Sequence, residues 1–175
     1  IYAEGAALTL ENVTLVGNLS SNSVNSSYHA YGGAVYHAGS GMAATLTGCW
    51  FEANAAGIIA NGNPGSVGGA VYLGGAMGTI TACMFTNNRS GGGYITQQGG
   101  ALNAAALQSL QVVSCVFQGN RLSGTGNKYG GAVCLTSCAT AVVDRCTIDG
   151  SGVPSGMAPE LVYVSGGGRT LFLDS

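Results

Sequence analysis

The chain has 175 residues, 46% hydrophobic and only 7% charged, with 31 glycines, three prolines and a formal net charge of -2. That is too little charge for a disordered chain and too much glycine for a helical one. The near-neutral balance gives no electrostatic footprint for nucleic acid, and no stretch approaches the roughly 18 apolar residues of a membrane span, so neither nucleic-acid binding nor membrane insertion by this segment is expected.

In chain order, two short signatures alternate. The chain opens at Ile1-Tyr2 and reaches a β-like run, Leu10 to Asn18. After a polar stretch, Ser20 to Tyr28, comes Gly32-Gly33-Ala34-Val35-Tyr36, then Leu46-Thr47-Gly48-Cys49-Trp50-Phe51-Glu52-Ala53-Asn54. The pair recurs as Gly68-Gly69-Ala70-Val71 with Ile80 to Asn88, and as Gly99-Gly100-Ala101-Leu102 with Val112 to Asn120. It recurs with drift as Gly130-Gly131-Ala132-Val133 with Val143 to Ser151, and a last run starts at Leu161-Val162-Tyr163. Counted on the aliphatic residue after Ala, repeats begin at residues 1, 35, 71, 102, 133 and 162.

Self-similarity at such a period marks a solenoid, whose units bury apolar surface only by stacking. The 3.6-residue apolar period of helical repeats is missing. Each repeat instead carries two short β-like runs between Gly-rich corners, and a segment such as Ile58-Ile59 or Tyr94-Ile95-Thr96 is a candidate third strand. The expected fold is all-β, a right-handed parallel β-helix of about five to six turns. Its hand follows from the right-handed crossover rule. Residues 1–175 read as one segment, and both ends are expected to continue into more protein, because Ile1 already sits inside a repeat and the last run stops soon after Leu171.

Column chemistry assigns the faces. Ile1, Val35, Val71, Leu102, Val133 and Val162 form one expected aliphatic stack, and Leu10, Leu46, Ile80, Val112, Val143 and Leu171 another. Phe51, Phe85 and Phe117 form a third, flanked by Leu15 and Ile148. Cys49, Cys83, Cys115 and Cys146 lie two residues before this column, on its face by strand alternation. Adjacent rungs fall within the Cα window of a disulfide, yet in-register side chains strain its dihedral, so stacked thiols and inter-turn bridges both remain open. Asn18, Asn54, Asn88 and Asn120, with Ser151 closing the row, suit an amide ladder along the axis. Trp50, Met84 and Val116 point outward as an apolar stripe beside Gly48, Ala82 and Ser114, and are the candidate contact for another chain. Cys134 stands in the outward column of Tyr2, Tyr36, Tyr72 and Tyr163; Cys138 follows across a corner, which leaves a small-loop disulfide open.

The alternation of Gly-Gly-Ala-aliphatic with Phe-x-x-Asn (51–54, 85–88, 117–120) resembles the repeats of the chlamydial polymorphic outer membrane proteins. The resemblance covers about Ile1 to Ser151, with Leu15 and Ile148 replacing Phe in the outer copies. It implies a pectin-lyase-like β-helical scaffold, displayed at the cell surface and associated with adhesion. It transfers no catalytic residue and no cofactor.

Sequons stand at Asn12, Asn18, Asn25 and Asn88. Asn18 and Asn88 belong to the amide row, so Asn25 and Asn12 are the candidate N-glycosylation sites. A polysaccharide-binding or polysaccharide-cleaving enzyme is the alternative reading, since the pectin-lyase-like architecture serves such enzymes. It needs converging carboxylates. Glu11 and Asp144 share one column and Glu52 and Asp149 another, each pair expected three turns apart. His29 and His37 read as polar residues flanking a corner rather than as metal ligands. Threonines at Thr45, Thr47, Thr79 and Thr81 give an outward array two turns deep, too small for a crystal-binding face. The expected function is a non-catalytic extracellular or cell-surface scaffold, structural or adhesive. Its expected partners are further repeats or other protein chains, with glycans as a further candidate.

Overall fold

The computed structural model describes residues 1–21, 29–57, 65–91, 96–151 and 160–174. Among them there is no helix, and every strand pairing is parallel. The chain winds into a β-solenoid of about 5 turns. Isoleucine, valine and threonine in short runs favour extended backbone. Since no single turn has a partner for its own apolar face, each pairs with its copy one turn on.

One turn shows the plan. Val71–Thr81 lies on the long sheet, then Met84–Thr86 and Arg89–Gly91 add strands to a second and a third sheet, and Gln97–Gln98 adds one to a fourth. The turn thus has four sheets. Of the candidate third strand, Thr96 is not in a strand and Ile58, Ile59, Tyr94 and Ile95 lie outside the described residues; the further strands observed directly follow the Asn row or precede the Gly-Gly corner.

Corners fix where these strands break. Asn12, Gly48, Ala82, Ser114 and Arg145 occupy one corner column, all with φ between 50° and 61°. Their left-handed conformation explains why small residues recur there. At Gly68 the φ is 69° and a Cβ would collide with the Val71 carbonyl oxygen; at Gly69 a Cβ would collide with the Gly100 carbonyl of the next turn. The double glycine is therefore a demand of chain crossing. The following Ala70, Ala101 and Ala132 are fully buried.

Register confirms most expected columns. Val71 pairs with Val35 and Leu102, and Phe85 with Phe51 and Phe117. One assignment is corrected: Val143 pairs with Phe172, and Leu171 pairs with Val142. The last strand pairs with its neighbour residue for residue, so the column lies as far from Val162 as Val143 lies from Val133; the shorter Val71-to-Ile80 spacing leads to Leu171, and a slip of one residue changes face. A bulge between Gly75 and Met77 absorbs two extra residues on the facing strand. The core runs through all turns as one cluster, including Leu73, Leu107, Leu110 and Leu135, which the repeat pattern had not marked.

Candidate functional site

The interior is a set of single-residue ladders. Phe51, Phe85 and Phe117 are fully buried and stack with ring centroids 4.8 and 4.7 Å apart, nearly parallel. Beside them runs the amide row. The Asn18, Asn54 and Asn88 side chains each donate from Nδ2 to the Oδ1 of the next Asn at 2.9, 3.1 and 3.0 Å. Their backbone N–H groups donate to the same oxygens at 2.9, 2.9 and 3.0 Å. The second Nδ2 hydrogen of Asn54, Asn88 and Asn120 goes to the carbonyl of Leu15, Phe51 and Phe85 in the preceding turn. Ser151 is exposed and directs its hydroxyl to Asp149 Oδ2, 2.7 Å away, rather than closing the row: its short side chain reaches its own strand's carboxylate.

All six cysteines are free thiols and all are buried. In the ladder, the N–H of Cys49, Cys83 and Cys115 donates to the sulfur of the next Cys at 3.4 Å, so the two open readings resolve to stacked thiols. Each sulfur in turn meets a carbonyl of the preceding turn, as Cys83 meets Leu46 O at 3.5 Å. Hydrogen bonds with Cys146 and Cys83 hold the Cys115 thiol protonated well above its ordinary range, and burial adds to this.

Cys134 and Cys138 are not bridged. The αL residue Ser137 lies between them, and Cys138 joins the core cluster while Cys134 stays in the tyrosine column outside it. Side chains on opposite faces of one strand cannot reach the geometry of a disulfide. Cys134 is nevertheless fully buried, which pushes its thiol up to about 12.

The stripe faces out as expected: Trp50 and Met84 are 43% and 42% exposed, and Val116 is half-buried in register with them. The Trp50 indole donates to Thr86 Oγ1 at 3.1 Å. Asn12 is exposed at its αL corner, and Asn88 is fully buried. Asn25 lies outside the described residues.

Three other readings change. His37 is 1% exposed and points into the core column of Leu73 and Leu135, its Nε2 3.0 Å from the Ala6 carbonyl. The count of two from Val35 along the strand returned it to the inner face. Glu11 and Asp144 are four rungs apart, through Thr47, Thr81 and Val113, because the earliest copy adds a rung. Glu52 and Asp149 are three apart as expected. The threonine array gains Thr9, paired with Thr45, and is three turns deep in that column.

Sequence columns alone did not disclose an outer groove where the fourth sheet meets the long one. Tyr2, Tyr36 and Tyr72 stack at 4.8 and 5.4 Å along the axis, and Tyr31 stands edge-on to Tyr36 and Tyr72 at 5.7 and 4.8 Å. Burial pushes the Tyr72 phenol up to about 12. In the next turns the same columns hold Gln98 and Asn103, whose amides meet at 3.4 Å. Asn103 is fully buried, and its Oδ1 has no hydrogen-bond partner among the described residues. The available signal was Asn103 occupying a position that holds Tyr in four other turns. Two cavities of about 260 and 310 Å³ open here and share His29 and Tyr31. A third, of about 430 Å³, lies at the Gly39–Gly75 bend and is lined mostly by small residues.

Among the described residues no group of three or more His, Cys, Asp or Glu is placed to hold a metal ion. Comparison of the chain with family models, with curated proteins and with solved structures finds no match.

Proposed function

We propose that this chain is a non-catalytic, surface-displayed scaffold, structural or adhesive, in which a rigid β-solenoid carries exposed faces for other molecules. The observation that carries this reading is the dispersal of its carboxylates. Rungs in a parallel sheet are about 4.8 Å apart, so Glu52 and Asp149 stand roughly 14 Å apart and Glu11 and Asp144 roughly 19 Å. Glycoside hydrolysis works with carboxyl groups about 5–9.5 Å apart. Two acidic side chains are engaged locally: Asp144 pairs with Arg145 at 3.1 Å, and Glu4 meets the Tyr2 hydroxyl. At Asp149, hydrogen bonds from the Ser151 backbone and hydroxyl hold the carboxyl below its usual range, the wrong direction for a general acid.

The surface address rests on the resemblance of the repeats and is supported by the accessible sequon at Asn12. A purified chain incubated with neutral and acidic polysaccharides should release no new reducing ends and no unsaturated products. Cleavage that disappears in Asp144→Asn or Glu52→Gln would make it an enzyme and end the scaffold reading.

A further inference from the structure

The outer groove beside Tyr31 has a chemistry of its own. A sugar ring presents an apolar C–H face and an edge of adjacent hydroxyls, each both donor and acceptor. An aromatic side chain covers the first, and a planar amide, with an acceptor oxygen and two donors on one edge, matches the second. Tyr31 is half-buried and lines both cavities, with Tyr36 on one side and Tyr72 on the other. Gln98 and Asn103 line the larger cavity. Their mutual contact at 3.4 Å is longer than a well-formed bond, so an incoming hydroxyl can replace it. The Asn103 oxygen, buried with no partner among the described residues, sits beside that replaceable contact.

Charge narrows the class. Neither cavity is lined by Lys, Arg, Asp or Glu among the described residues. No permanently charged side chain lines either cavity, among the described residues, to neutralise a uronate or a sulfated sugar, whose desolvation would then go largely uncompensated. The groove also continues from turn to turn, with the two cavities side by side, which suits a linear oligomer better than a lone monosaccharide.

We propose that the groove formed by His29, Tyr31, Tyr36, Tyr72, Gln98 and Asn103 binds a neutral glycan chain, with Tyr31 as the stacking ring and the two amides as readers of hydroxyls. His29 closes one wall: Gly65 is placed where a Cβ would collide with the His29 ring, so the backbone of the next turn leaves room for it. The site deepens the adhesive part of the scaffold reading and rests on that part alone.

The test is calorimetric titration of the full chain with gluco-, manno-, xylo- and galacto-oligosaccharides of several units, with oligogalacturonate as the acidic arm. At least one neutral series should bind, more tightly as chain length grows. Tyr31→Ala and Gln98→Ala should each weaken binding at least tenfold, Tyr31→Phe should retain it, and Thr147→Ala, exposed on the second sheet, should leave it unchanged. Should Tyr31→Ala fail to fold, Gln98→Ala and perturbation of the Gln98 side-chain amide resonances on titration carry the test. No binding by any neutral oligosaccharide at millimolar concentration overturns the site, as does unchanged affinity in both variants. Preference for oligogalacturonate overturns the neutral class. None of these failures touches the scaffold reading, which stands or falls on the cleavage assay.

Discussion

Replacing Asn88 by Ala tests the amide row at its most committed position. Asn88 Oδ1 accepts from the Asn54 backbone N–H at 2.9 Å and from Asn54 Nδ2 at 3.1 Å, and its own Nδ2 supplies Phe51 O at 2.9 Å and Asn120 Oδ1 at 3.0 Å. Asn54 Nδ2 keeps Leu15 O, and Asn120 Oδ1 keeps the Asn88 N–H. The truncation therefore strands two buried main-chain groups, the Asn54 N–H and the Phe51 carbonyl's amide contact. At about 1–3 kcal/mol for each unsatisfied group, the loss is about 2–6 kcal/mol. Asn18→Ala, at the edge and half-buried, removes only one of two donors from Asn54 Oδ1, which keeps the Asn18 N–H, and should cost about 0.5–1.5 kcal/mol. Asn88→Asp keeps the acceptor but turns the donor into an anion facing the Phe51 and Asn120 oxygens. Its folded-state pKa must then lie above the unfolded value, so this variant should gain stability as pH falls through that range. Urea denaturation of the three variants at neutral and acidic pH supplies the comparison. Equal losses at positions 18 and 88, or an Asn88→Asp protein least stable in acid, would refute the ladder as the source of the stability.

Phe85→Ala, which removes a ring stacked on both sides, should cost about 3–5 kcal/mol, against a few tenths for the exposed Thr147→Ala; equal melting temperatures would place the column outside the core. Tyr72 and Cys134 are both raised to about 12, from 10.0 and 9.0. A raised folded-state value contributes stability that is fully present below the unfolded value and is lost as pH rises through the folded one. Urea midpoints should therefore fall from about pH 9 to pH 12, and Cys134→Ala should delay the onset towards pH 10; a flat profile would contradict the burial of both groups. In a glycosylating host, peptide mapping should find Asn88 bare and Asn12 available to the transferase, since of the two only Asn12 is exposed. A glycan on Asn88 could not coexist with the row. All six thiols should resist a hydrophilic disulfide reagent until denaturant is added, as each is buried; rapid native reaction at Cys83 or Cys115 would show that the ladder opens.

The amino-acid sequence by itself determined what repeats: the solenoid, the parallel pairing, and the Phe, Asn and Cys ladders. In-register stacking puts the same chemistry in the same place each turn, so a column in the sequence is already a contact in space. Gly68-Gly69 was legible as a corner for the same reason, although only the close approach of the Gly100 backbone shows why both positions must be glycine. The tertiary structure decided what does not repeat. The unbroken register of the last strand put Phe172 in the column given to Leu171, the αL residue Ser137 put Cys138 inside and Cys134 outside, and His37 went to the core although its flanks are polar. The groove at Tyr31 is of that kind too. Its rings and amides come from two strands on either side of a corner and from three successive turns, and no column of a single repeat contains them together. A repeat fixes neighbours along the axis through backbone pairing; neighbours across a corner depend on the angle at which two sheets meet, which only the packed core sets.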